Sequence, residues 1–182
     1  MPQPDPFSTS PVLLGGENRS GTTLLSVVLD SHLDLVAGPE IDFLEPPNLG
    51  PHILHATDLL AAGDPRVTGT TKSAIDPFWY DGVHFVVQCR RFGLDVNDLR
   101  ELVSKVMLDL GSDIVSLTDR CKLINEMGEL RRTRSGARRW GLKTAAQDRP
   151  DRRLRQAMAA RAFRAYRARR ARRCCLASEN RS

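Results

Sequence analysis

The stretch VLLGGENRSGTTLLSVVLDSHLDLVAGPE, residues 12 to 40, decides how this chain folds. Pro11 to Leu14 is a short apolar run, Gly15 and Gly16 break it, and Leu24, Leu25, Val28 and Leu29 then recur at helical spacing. The pattern predicts a strand, a loop, and a helix that starts between Ser20 and Thr23. The first backbone N–H groups of such a helix have no acceptor inside it, and the helix dipole adds partial positive charge at the same end. The loop and helix start together form an anion site.

Gly16 and Gly21 are separated by four residues, which is the glycine spacing of a nucleotide-binding P-loop, but Thr22 stands where that loop carries its Lys. A kinase or NTPase uses the Lys on the β- and γ-phosphates and the next hydroxyl on magnesium. Here the only cation in the loop is Arg19. Backbone N–H groups, the hydroxyls of Ser20, Thr22 and Thr23, and one guanidinium suit a terminal phosphate-like group. They suit a triphosphate with its metal poorly, so a P-loop kinase is the alternative enzyme reading.

The run NRSGTTLL, followed by LDSHLDL and GPE, resembles the 5′-phosphosulfate loop of sulfotransferases that use 3′-phosphoadenosine 5′-phosphosulfate (PAPS). The likeness is to the branch that includes tyrosylprotein sulfotransferases and many bacterial members. It implies an α/β fold with a P-loop-NTPase-like parallel sheet flanked by helices, and transfer of a sulfuryl group from PAPS to a hydroxyl or amine without a metal. Arg19, Ser20, Gly21, Thr22 and Thr23 would hold the donor. A sulfuryl group carries less negative charge than a γ-phosphoryl group, so donors and one or two cations suffice for it.

The resemblance extends to two further places. Glu40 follows Arg19 by 21 residues, where this branch carries the acid that takes the acceptor's proton. Trp140 to Thr144, WGLKT, is similar to the family's W-x-x-K-T segment leading into a strand edge, and implies that Lys143 stabilises charge on the leaving group; Ala145 stands where the family has Pro. Apart from the resemblance, Glu40 reads as a solvated loop acid and Lys143 as a surface lysine. Histidines offer rival bases. His32 closes the first helix, where an imidazole caps or packs. His84, in DGVHFVV, reads as part of a strand or buried stretch and is the substitute if Glu40 is not the base.

With 41% hydrophobic residues in 182, the chain can bury one core, and residues 11–148 read as a single domain behind an extension of ten residues. It contains no 18-residue apolar stretch, and MPQPDPFSTSP lacks the basic start and apolar core of a signal peptide, so the expectation is a cytoplasmic protein without a membrane span. The four cysteines include no C-x-x-C, and free thiols without a metal are expected. Residues 51–62 read as a short helix and 63–80 as loops. Asp95 to Leu110 is an amphipathic helix capped by Asp95 or Asn97 and stopped by Gly111. A second helix runs from about 114 to 132, and the Arg-rich segment 131–139 reads as a basic turn.

From Arg149 the composition changes. Twelve of the 27 Lys and Arg fall in residues 149–182 against two acids, a net +10, whereas the preceding 148 residues carry −5. The basic character belongs to the tail. It reads as a basic helix that binds nucleic acid or an anionic membrane, as a solvated arm, or as sequence not selected to fold. The resemblance favours the last, because the family continues with a helix, an apolar strand and an Arg-Asp-x-Arg turn that binds the 3′-phosphate, and this Arg- and Ala-rich stretch has the look of a shifted reading frame. The expectation is an incomplete, inactive sulfotransferase domain, with a non-enzymatic basic binding module as the other alternative. The acceptor is not legible.

Overall fold

The computed structural model describes residues 11–15, 21–41, 43, 48–63 and 77–143. Three strands, β1 (Val12–Leu14), β2 (Leu35–Glu40) and β3 (Arg139–Lys143), form an open parallel sheet in the order β1-β3-β2. The helices are α1 (Thr22–Asp30), α2 (Leu49–Ala61), α3 (Pro77–Arg91), α4 (Val96–Leu110) and α5 (Leu117–Ser135). The molecule is therefore α/β, a small parallel sheet flanked by helices.

The central strand explains the arrangement. Trp140, Gly141 and Leu142 are all buried, as a parallel strand covered on both faces requires. Trp140 lies flat on α5 because position 128 is glycine: a Cβ there would come within 2.2 Å of the indole ring. Its Nε1 donates to Glu129 Oε1 at 3.2 Å, so one aromatic side chain ties strand to helix through packing and a hydrogen bond. The main core lies on this side of the sheet, where Phe43, Ile53, Phe85, Leu99, Leu123 and Trp140 are at most 1% exposed.

Helix α4 forms as its sequence predicts. Asp95 Oδ1 accepts from the Asp98 N–H at 2.9 Å while Asp98 Oδ2 accepts from the Asp95 N–H at 2.8 Å, a reciprocal cap, and Gly111 ends the helix. Leu99, Leu102, Val103 and Val106 face inward. Helix α5 repeats the device with Ser116 and Asp119.

Three expectations are corrected. The segment around His84, expected as a strand or buried stretch, is buried but helical, the middle of α3, whose buried positions Val83, Val86 and Phe85, Cys89 recur at helical spacing; residues 77–80, expected as loop, begin that helix, and 64–76 lie outside the described residues. A short apolar run cannot separate the two periodicities. The basic segment 131–139 is not a turn over its length: Arg131 to Ser135 complete α5, and only Gly136 to Arg138 turn. Arg134 joins α5 to α4 through Asp98 at 2.5 Å, and Arg132 pairs with Glu129 within α5 at 2.9 Å. Finally, Glu40 ends a strand, which Gly38 and Pro39 concealed because both are poor strand formers.

Helix α1 lies on β2 by its small polar face. Ser26, its one buried residue, donates from Oγ to the Gly38 carbonyl at 2.9 Å, and Asp30 Oδ1 accepts from the Ala37 N–H at 2.8 Å. Its apolar stripe points away from that contact, with Leu24 at 70% and Val27 at 63% exposure among the described residues.

Candidate functional site at the strand ends

The C-terminal ends of the three strands and the start of α1 meet at one place. In an open α/β sheet this edge is where ligands bind. Leu14 pairs in register with Lys143, and Lys143 with Glu40 across an irregularity between Ala37 and Glu40, so the last residues of all three strands stand side by side. Gly21 precedes α1 with φ 82°, a left-handed conformation natural to glycine, and no side chain among the described residues caps this end. The first helical bond runs from the Leu25 N–H to the Gly21 carbonyl, which leaves the earlier N–H groups directed out of the helix.

Lys143 is the hub. Its Nζ donates to Thr23 Oγ1 at 3.1 Å and forms an ion pair with Glu40 Oε2. The lysine side chain is 15% exposed and the glutamate 41%, so the lysine is the more covered of the two and the glutamate the more open to solvent. The Ile41 N–H donates to the Lys143 carbonyl at 3.2 Å and continues the ladder at this point.

Of the residues expected in the site, Thr23, Glu40 and Lys143 are thus in direct contact, and Gly21 and Thr22 begin the helix beside them. Arg19 and Ser20 lie outside the described residues, as do residues 1–10, Thr144, Ala145 and the tail. His84 stands on α3 with Nε2 3.1 Å from Gln88 Nε2. His32 follows α1, its Nδ1 accepting from the Asp34 N–H at 3.1 Å, which is a turn contact. His52 is buried in α2 with Nδ1 2.5 Å from the Asn48 carbonyl. Cys89 and Cys121 are both buried, and burial pushes the Cys89 thiol well above its ordinary range. Among the described residues no group of three or more His, Cys, Asp and Glu could hold a metal, and no helix is long and apolar enough to cross a membrane.

The sequence reading missed the residues that bring the site together. Ser26 and Asp30 fasten α1 to β2, and Glu129 and Gly128 seat Trp140, which fixes the strand carrying Lys143. A serine within an otherwise apolar helical stripe was the available signal for Ser26. The arrangement offers a cation at a helix start, with a hydroxyl on one side and a solvent-facing carboxylate on the other. It can bind an anion and accept a proton beside it. Comparison of the chain with protein-family models, curated proteins and solved structures found no match.

Proposed function

We propose that this chain is a sulfotransferase domain of P-loop-like architecture that moves a sulfuryl group from PAPS to a hydroxyl or amine acceptor. The observation that carries the reading is the contact of Lys143 with both Thr23 and Glu40. Three segments singled out separately in the sequence, one of them 120 residues from the first, converge on a single ammonium group. Such a convergence is what in-line group transfer needs.

In this mechanism the acceptor oxygen forms a bond to sulfur while its proton passes to Glu40, and the bond from sulfur to the bridging oxygen breaks. The product 3′-phosphoadenosine 5′-phosphate (PAP) leaves with the bond's electron pair. Lys143, Arg19 and the first N–H groups of α1 oppose the charge that grows on the leaving and equatorial oxygens, and Ser20, Thr22 and Thr23 supply neutral donors. Glu40 faces solvent and so stands open to an acceptor. Thr22 in place of a P-loop Lys weighs against a triphosphate with magnesium.

Calorimetry on the full chain with PAP, and separately with ATP and magnesium, tests this reading. Binding of PAP in preference to magnesium-ATP is expected, weakened because the family's 3′-phosphate motif has no counterpart in the sequence. Magnesium-dependent ATP binding with no response to PAP refutes it.

A further inference from the structure

We infer that the Glu40–Lys143 ion pair is a latch: the free chain holds its base on the very cation the donor needs, and donor binding releases the base. The inference rests on the sulfotransferase reading and deepens it. Its basis is that Lys143 Nζ serves two partners at once, Thr23 on the side of the anion loop and Glu40 on the side open to solvent. An anion arriving at the start of α1 meets an ammonium whose charge a carboxylate already neutralises. It also meets that carboxylate as a like charge, which is unfavourable at such separations.

The exposures decide which partner moves. Lys143 is the more covered and is tied to Thr23, whereas Glu40 is 41% exposed and ends a strand whose pairing is irregular after Ala37. The lysine stays with the anion and Glu40 swings toward solvent. There it meets the acceptor. While it is held on the ammonium, the carboxylate is turned toward Lys143 and not toward an acceptor. Donor binding therefore frees the carboxylate for the acceptor, and productive binding is ordered, with donor before acceptor. A general base independent of the donor site predicts instead that removing the Glu40 charge leaves donor affinity unchanged.

The test measures PAP affinity by calorimetry for the full chain and its Glu40→Gln, Glu40→Ala, Lys143→Met and Glu40→Gln/Lys143→Met variants. Glu126→Gln, which removes an α5 carboxylate paired with Lys105 of α4, controls for net charge. Glu40→Ala guards against a glutamine that still accepts the lysine's hydrogen bond, and circular dichroism establishes that each variant is folded. Both Glu40 variants should tighten PAP binding about two- to fivefold, a range set by the modest strength of partly exposed ion pairs. Lys143→Met should weaken PAP binding and erase the gain in the double variant, and Glu126→Gln should change nothing. Unchanged or weaker binding by the Glu40 variants overturns the latch while PAP binding by the unaltered chain sustains the donor site. A gain that survives in the Lys143→Met background also overturns it, since repulsion alone then explains the effect. If neither the unaltered chain nor any Glu40 variant binds PAP, the donor-site reading falls and the latch falls with it.

Discussion

Lys143 Nζ stands 3.1 Å from Thr23 Oγ1, joining the end of the central strand to the first turn of the helix that follows the loop. A hydrogen bond across this distance in sequence exists only because β3 lies between β1 and β2. Were β3 an edge strand, its last residue would reach one neighbour and not both. The order of the sheet is thus what makes a two-sided contact possible.

Arg19 and Glu40 should separate in kinetics wherever turnover can be measured in this chain. On the proposed mechanism Arg19→Ala is expected to weaken donor binding and turnover together, because its charge would serve ground and transition states alike. Glu40→Gln should lower turnover by about 10²-fold or more, the loss usual for a general base. The measurement is kcat and the donor KM for each variant. Unaltered turnover in Glu40→Gln would move the base role elsewhere, with His84 the first to be tested.

Gly128→Ala should destabilise the domain more than an exposed helical Gly→Ala change, which is normally stabilising. The new methyl group has its nearest indole carbons 2.2 Å away, and Trp140 has no free side to move into because it is 1% exposed. Overpacking of this kind costs about 1–3 kcal/mol, and Trp140→Ala about 3–5 kcal/mol through lost burial. Urea denaturation checks both. A stability rise in Gly128→Ala would mean that β3 does not lie on α5.

Acid should unfold the domain partly through Asp98. Two bonds from the Arg134 guanidinium hold its carboxyl below the ordinary carboxylate range, its burial opposes the shift, and the Asp95 N–H adds to it. A carboxyl whose folded pKa is depressed contributes stability that is complete above its unfolded value near pH 4 and disappears as pH falls through the lower folded value. Stability should therefore decline below about pH 4, and Arg134→Met should flatten that decline while lowering stability at pH 7. Thermal midpoints between pH 2 and 7 decide it; an identical pH profile in Arg134→Met would show that the pair does not control Asp98.

How much of this was legible in the sequence follows from what each residue depends on. The cap at Asp95 and the stop at Gly111 are local, and they could be read because only neighbours along the chain determine them. Beginning α1 at Thr22 was legible for the same reason. Strand β2 was not, since Gly38 and Pro39 have low strand propensity and the strand is held by the pairing of Leu35 to Ala37 and of Glu40 with β3, on either side of them. Arg134 and Glu129 were indistinguishable from solvated charges because their partners, Asp98 and Trp140, lie on other elements. Glu40 and Lys143 entered through the family resemblance, and their contact with Thr23 is tertiary.

The outward face of α1 supplies the last prediction. Leu24, Val27 and Val28 are each more than half exposed, whereas Ser26 is buried against β2. Contiguous exposed apolar surface of this kind promotes association. The triple variant Leu24→Gln/Val27→Gln/Val28→Gln should keep its thermal midpoint within a few degrees, since exposed substitutions each shift stability by about 0.5 kcal/mol or less and Gln is a better helix former than Val. It should also reduce light scattering at high protein concentration. Ser26→Leu should do the opposite: it removes the bond to the Gly38 carbonyl, forces a larger side chain between helix and sheet, and is expected to cost about 1–3 kcal/mol. If the triple variant instead unfolds, these side chains hold the fold together and are not a dispensable outward stripe.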